Sequence, residues 1–201
     1  LNSLPILKRQ KEGSHVIRFV TQEEEIAILK YLKTWAHEDN MHRHLMDAYI
    51  ISVETGLRAG ELLNIQRKHI SKYGLMIKET KNDNPRNVPL SNRARRILEI
   101  RSQTIDGDLL FPYQENWYRR SWEDVMDHLE IEDLRWHDLR HTYASRLAMN
   151  GASVVEIKEK LGHKAVQTTM RYSHLSKDYL RGTENRLSQT SDAIDDAVTQ
   201  I

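Results

Sequence analysis

Apolar positions change period along this chain, and the changes mark its elements. From Thr21 the spacing is helical, with Ile26, Leu29, Leu32 and Trp35 predicted on one face. Thr21 followed three residues later by Glu24 is a capping-box signature, each side chain able to take the other's orphan amide. Asn40 can cap a second helix carrying Leu45, Ala48, Tyr49 and Val53, with Gly56 as its stop. Leu62 and Leu63 anchor a short third helix. From about 69 to 90 the pattern turns strand-like. Residues 74–80 and 86–90 read as short strands around the turn Lys81-Asn82-Asp83-Asn84-Pro85. Pro89 cannot donate to a ladder, which puts the second strand at an edge or near its end.

Helical spacing resumes after Ser91, with Ala94, Ile97, Leu98 and Ile100 as an apolar side up to about Gln103. A loop with Asp106-Gly107 and Pro112 leads to a helix from about Asn116 to Leu129, cored on Trp122, Val125, Met126 and Leu129. The stretch from Trp136 continues through Leu139, Ala144 and Leu147 to a stop at Asn150-Gly151. Val154, Val155, Ile157 and Leu161 make another helix, ending at Gly162. Tyr172 falls in a further helical segment, with one more helix after it. Residues 1–20 lack periodicity and read as a linker or docking strand, and 181–201 as a polar tail. The pattern predicts a mainly α domain over 21–180 with a small antiparallel β-sheet, an α+β class.

A length of 201 residues suits one domain, or at most two small ones. The absence of cysteine excludes a disulfide framework and a thiolate zinc site. No apolar run approaches membrane-spanning length, so no membrane partner is expected. A net charge of +1 is no signature of nucleic-acid binding, but the charges are segregated. Acids gather at Glu23-Glu24-Glu25 and at Asp192, Asp195 and Asp196. Arginines gather at Arg93, Arg95 and Arg96, and at Arg119-Arg120 beside Trp117-Tyr118. One acidic and one basic face would produce this distribution, and so would ordinary solvated helix faces.

Chemistry concentrates in Trp136-His137-Asp138-Leu139-Arg140-His141-Thr142, where His137 and Arg140 lie one helical turn apart. A fixed cation beside a proton-transfer group suits an anionic centre such as a phosphate. An ordinary salt bridge would account for Arg140 equally well. In Thr55-Gly56-Leu57-Arg58-Ala59-Gly60-Glu61 two glycines bracket Arg58, letting the backbone turn and aim it away from the core. A contact with last-turn carbonyls is the plainer account. Lys81 at a hairpin tip could reach a ligand, or could simply keep the tip soluble.

Three readings compete for these residues. His137 and His141 at i and i+4 echo the H-E-x-x-H zinc motif, with Asp138 in place of the glutamate. Arg140 would then set a permanent cation beside a dication, the shorter carboxylate withdraws the general base, and no third ligand is evident. A helix-turn-helix over Ser153–Gly162 and Val166 onward could bring Lys164 and Arg171 to phosphates. That reading leaves Arg58, His137, Arg140 and Tyr172 unexplained.

The third takes them together. Thr55-Gly56-Leu57-Arg58 with Glu61-Leu62, then His137 to Thr142, Leu161-Gly162-His163 and the closing Tyr172 occur in one order over about Arg18–Leu180. In this the chain resembles the tyrosine recombinases, the phage-integrase family of site-specific DNA recombinases. The resemblance implies a mostly helical catalytic domain with a small antiparallel sheet. It assigns Arg58 and Arg140 as the catalytic arginines, His137 as the histidine before the second of them, and His163 as a further phosphate donor. Tyr172 is the implied nucleophile, Lys81 the hairpin lysine and Glu61 a supporting acid. Lys78 rivals Lys81, because the glycine that often follows the family's lysine is Asn82 here.

The implied reaction is attack of Tyr172 on a DNA phosphate, with His137 accepting the phenol proton and Lys81 protonating the departing 5′-oxygen. A 3′-phosphotyrosyl link keeps the bond energy, so neither ATP, metal nor other cofactor is called for. A type IB topoisomerase would share this chemistry but nick and reseal as a monomer. The family implies double-stranded DNA as partner, a homo-tetramer on synapsed sites, accessory DNA-bending proteins, and integration or excision of a mobile element or phage in a bacterial cytoplasm. It also implies an amino-terminal domain in a longer protein, and a carboxy-terminal tail packed on a neighbouring protomer.

Overall fold

The structure, a computed structural model, describes residues 17–36, 40–77 and 85–176. Helix α1 (Gln22–Trp35) opens on the predicted capping box. The Thr21 hydroxyl accepts from the Glu24 amide at 3.2 Å, and Glu24 Oε2 accepts from the Thr21 amide at 2.9 Å. Its buried stripe differs from the expected one. Ile28 and Leu32 are buried, whereas Ile26 and Trp35 lie open to solvent. A strict three-residue repeat drifts about 60° per step around a 3.6-residue helix, so Ile26 and Trp35 cannot share a face.

Helix α2 (Asn40–Thr55) is the centre of the molecule. Leu45, Ala48, Tyr49, Ile50, Ile51, Ser52, Val53 and Thr55 are all buried, so it is covered on nearly every side. Helix α6 (Asp138–Met149) packs against it. Buried Ala144, Ser145 and Ala148 on α6, with Ala48 and Ser52 on α2, supply the small side chains that let helices approach closely. Tyr49 stacks on Trp122 of α5 (Glu115–His128), with ring centroids 5.5 Å apart. The indole nitrogen of Trp122 donates to the Leu134 carbonyl at 2.9 Å, which fixes the loop leading into α6.

Short helix α3 (Ala59–Leu63) and a 3-10 turn (Arg67–His69) precede the sheet. The expected hairpin is present as β2 (Gly74–Ile77) and β3 (Arg86–Val88), extended by a two-residue strand β1 (Ile70–Ser71). The order is β1-β2-β3, antiparallel, with Ile70 opposite Leu75 and Ile77 opposite Arg86. Strand β3 is an edge strand and ends one residue before Pro89, as the missing amide hydrogen requires.

Helix α4 (Asn92–Thr104) starts at Ser91, whose hydroxyl accepts from the Ala94 amide. Ile100, expected inside, is largely exposed, and Arg101 is buried instead. The Arg101 guanidinium donates to Asp47 Oδ2 at 2.7 Å and, through Nε, to the Leu110 carbonyl at 2.8 Å. It also lies 4.4 Å from the Phe111 ring centroid. A cation can occupy a core position once partners replace its water, which apolar periodicity does not register. The Arg93–Arg96 cluster is not a free basic face. Arg93 pairs with Glu54 at 3.4 Å, and Arg95 donates to the carbonyls of Ser71 and Lys72.

Helix α7 (Val154–Leu161) carries its own capping box at Ser153 and Glu156 and ends at left-handed Gly162, φ 69°. Val155 is exposed on its outer side. Helix α8 (Gln167–Met170) is a single turn. Beside the main core, Ala144, Ala148, Ile157, Leu161 and Tyr172 form a smaller cluster that joins α6, α7 and the Tyr172 turn. Among the described residues no helix is long and apolar enough to cross a membrane. A 3-10 turn (Ser173–Ser176) follows Tyr172 and packs on α6. The linker expected over 1–20 (described only from Ile17), the hairpin tip with Lys78 and Lys81, and the chain after 176 with the polar tail lie outside the described residues.

Candidate active site

The site is assembled where α2, α6 and α7 end or begin. Gly56 follows α2 with φ 64°, a conformation that costs an L-residue and suits glycine. A Cβ there would meet the Tyr143 ring at 2.5 Å and Leu161 at 2.8 Å, so the turn is tight as well as left-handed. It presents the Gly56 carbonyl to Arg140, whose Nη1 donates to it at 2.6 Å. Arg140 Nη2 donates to the Leu161 carbonyl at 2.7 Å. One buried guanidinium thus bridges the carboxy-terminal ends of α2 and α7, where unsatisfied carbonyls and the helix dipoles both favour a cation. The contact with last-turn carbonyls raised for Arg58 belongs to Arg140. The guanidinium has five N–H donors, and these two bonds leave others for a ligand.

Arg58 is the N-cap residue of α3, half-exposed, and its amide donates to Glu61 Oε2 at 2.9 Å. Its Nη1 lies 3.7 Å from Glu61 Oε1. Glu61 is 6% exposed and carries a bidentate partner that the sequence reading missed. Arg86 Nη1 and Nη2 donate to its two oxygens at 2.8 and 2.9 Å. Although burial opposes the charge, the bonds from Arg86 and from the Arg58 amide hold the Glu61 carboxyl below its ordinary value. Arg86 also covers Gly162, where a Cβ would meet its Nη1 at 2.9 Å. One β3 side chain therefore ties the Arg58 turn to the turn that carries His163. A supporting acid calls for a cation once it is buried, and only the sheet decided that Arg86 would supply it.

Replacing Arg86 with Met should leave a buried carboxylate without its bidentate partner. The expected loss is about 3–5 kcal/mol, toward the lower end because the Arg58 amide remains. Urea unfolding measures it, and adding Glu61→Leu should return much of the loss, since the orphaned charge is then gone.

His163 lies just past the α7 cap, with its Nδ1 2.8 Å from the Thr169 hydroxyl, and Thr169 is fully buried. If the hydroxyl donates, Nε2 carries the proton and points a donor outward. Burial, then Arg140 and Arg58, push the His163 imidazole down to about 4. His137 is exposed at the start of α6 and also lowered, by loss of water and by Arg140. The same charges recur in each of these shifts. Arg140 is itself lowered to about 10, first by burial and then by Arg58. Arg58, His137, Arg140 and His163 therefore act on one another across one shared neighbourhood.

Tyr172 is 1% exposed, and its phenol is raised by burial and lowered in turn by Arg171 and Arg140. Its partner differs from the one anticipated. The hydroxyl lies 2.6 Å from Nδ1 of His141, not against His137. The His137 ring is edge-on to His141, with centroids 5.2 Å apart. Positions i and i+4 on α6 aim both rings to one side, and only the fold decides which one meets the phenol. The helix-turn-helix alternative fails on length, since α8 has four residues and offers no recognition helix.

The neutral imidazoles carry a stability signature. His141 and His163 both sit near 4 when folded, against 6.5 for the free side chain. The unfolded chain therefore binds more protons between these values, and stability falls as pH drops from 6.5 toward 4. Urea midpoints across that window should decline less in a His141→Gln/His163→Gln variant than in the wild-type chain.

A cleft of about 1150 Å³ opens beside the site. Leu57, Leu62, Met126, His137 and Arg140 are among the residues that line it. Among known proteins, the phage integrase family matches residues 18–178. A shufflon-specific DNA recombinase of Escherichia coli is 33% identical over 87% of this chain and 44% of its own length. A tyrosine recombinase XerA of Saccharolobus solfataricus is 34% identical over 79% of this chain and 53% of its own. The chain spans about half the length of the curated relatives it matches. The solved catalytic domain of bacteriophage HP1 integrase has the same fold, with TM-score 0.66 and 24% identity over 85% of this chain and 95% of that one.

Proposed function

The chain belongs to the phage integrase family, and on that premise we propose that it is the catalytic domain of a site-specific DNA recombinase that cuts and rejoins strands through a 3′-phosphotyrosyl intermediate. The observation that carries the reading is one neighbourhood in which Arg140 acts on His163, His137 and the Tyr172 phenol, and Arg58 acts on Arg140 and His163. A DNA phosphate is an anion whose oxygens these donors suit. Arg58 and the unused donors of Arg140 bond its non-bridging oxygens, and His163 adds an N–H. These donors are fixed before the substrate arrives, so they oppose the extra negative charge of the pentavalent transition state without reorganisation. His137, at the mouth of the site, is a further donor. Tyr172 is the nucleophile and Glu61 supports the Arg58 turn. Lys81 is the acid for the departing 5′-oxygen, an assignment that rests on the sequence alone.

Residues 21–180 form the catalytic unit in this reading, with 1–20 a linker and 181–201 a tail exchanged with a neighbouring protomer. The partners are double-stranded DNA, three further copies on paired sites and accessory bending proteins. Its setting is the bacterial cytoplasm, moving a phage or mobile element.

The test uses a pool of nicked duplexes with a randomised central sequence, incubated with the chain in chelator and resolved on a denaturing gel. Protein joined to a 3′-phosphate, with a free 5′-hydroxyl on the other fragment, is the expected product. Its sequenced DNA reports the preferred site. Mobility shifts that appear only on a native gel would reject the transesterification.

A further inference from the structure

We propose that His141 is the base that takes the Tyr172 proton during strand cleavage and returns it during rejoining. This deepens the transesterification reading and rests on it. The geometry is direct, since Nδ1 of His141 is 2.6 Å from the reacting oxygen, within the 2.6–3.2 Å reach a general base needs. Tyr172 is buried at 1% exposure, so water is a poor competitor for its proton. His137, the histidine the family pattern points to first, sits edge-on to His141 with centroids 5.2 Å apart, while the phenol's hydrogen bond goes to His141.

The site makes His141 a base and not an acid before substrate binds. His137 and Asp138 face it from α6, Arg140 from the same helix, and Arg171 and Tyr172 from the turn that follows α8. Burial and His137 push the imidazole down to about 4, with Arg171 and Arg140 adding to the effect. At neutral pH it is therefore unprotonated, and the phenol is the donor between them. A base this weak gains strength when the phosphate arrives. The anion offsets Arg140 and Arg171, and the further charge that develops in the transition state favours an imidazolium at that moment. The proton count closes. As the Tyr172 Oη–P bond forms, the Oη proton moves to His141 Nδ1; the P–O5′ bond breaks, and the leaving oxygen is protonated by the general acid. In rejoining, the 5′-hydroxyl attacks and gives its proton back to the conjugate base of the general acid, the P–O5′ bond forms, the Oη–P bond breaks, and His141 returns its proton to the phenolate.

The experiment measures adduct formation on the duplex recovered from the randomised pool, with DNA binding followed on a native gel. His141→Gln keeps an oxygen that can accept the phenol hydrogen bond but cannot take a proton, and His141→Ala removes both. Base catalysis predicts that both variants bind DNA like the wild-type chain and lose about 100-fold or more in cleavage rate. Added imidazoles should restore His141→Ala, with faster rescue by the more basic ones. Wild-type speed in His141→Gln would mean the side chain only positions the phenol and would overturn the proposal. Rescue indifferent to imidazole basicity, or no rescue at all, would do so too. Absence of any adduct with the wild-type chain would instead remove the reaction itself, so the two failures are distinct.

Discussion

Tyr172→Phe is expected to abolish the covalent adduct of the proposed reaction and to leave the fold in place. The substitution deletes one oxygen from a buried ring in the small cluster with Ala144, Ala148, Ile157 and Leu161, so the ring's packing is retained. What is lost is one hydrogen bond to His141, and the half-buried imidazole is left with an unmet acceptor. Such a loss costs about 1–3 kcal/mol at most, and less where water can reach the ring. The chemical consequence is of another order. No other group reaches the phosphate as a nucleophile in the proposed mechanism, so the denaturing-gel band should vanish while native-gel binding persists. A band that survives in Tyr172→Phe would move the nucleophile elsewhere.

Arg140→Ala is expected to strike both stability and chemistry. Its guanidinium closes the ends of two helices, and without it the Gly56 and Leu161 carbonyls lose their donor. Each buried acceptor left unpaired costs about 1–3 kcal/mol, reduced where water enters the space. Arg140→Lys should recover little, because one ammonium on a flexible stem does not reproduce a planar fork spanning two carbonyls. Removing a preorganised donor to the transition state costs on the order of 100- to 1000-fold in rate, and Arg140 offers more than one. An internal control separates the effects. Arg140 is the largest charge depressing both His163 and His137, so both imidazoles should titrate at higher pH in the folded variant. Nuclear magnetic resonance titration reads this directly, and unmoved histidines would mean that Arg140 does not share their space.

Much of this was legible in the sequence because it depends on local rules. The Thr21–Glu24 box, the Ser91 cap and the left-handed stop at Gly162 are set by a few neighbouring residues and recur in the fold. Pro89 ends its strand because it has no amide hydrogen to give. The family pattern of Arg58, His137, Arg140, His163 and Tyr172 was visible for a similar reason. Each of its motifs is read from a few neighbouring residues.

What the sequence could not decide was partnership between distant side chains. Ile26 and Ile100 follow apolar patterns yet face solvent, while Arg101 lies inside, because burial depends on which surfaces meet. Arg86 looked like an ordinary strand residue until the sheet set it against Glu61 and Gly162. His137 and His141 are equivalent in spacing, and only the packing of the Tyr172 turn on α6 brings one of them to the phenol. Local order follows from short-range sterics and hydrogen bonding, so the chain alone determined it. The choice of the phenol's partner, of buried cation and of bridged carbonyls belongs to contacts closed across many residues, and those exist only once the helices have packed.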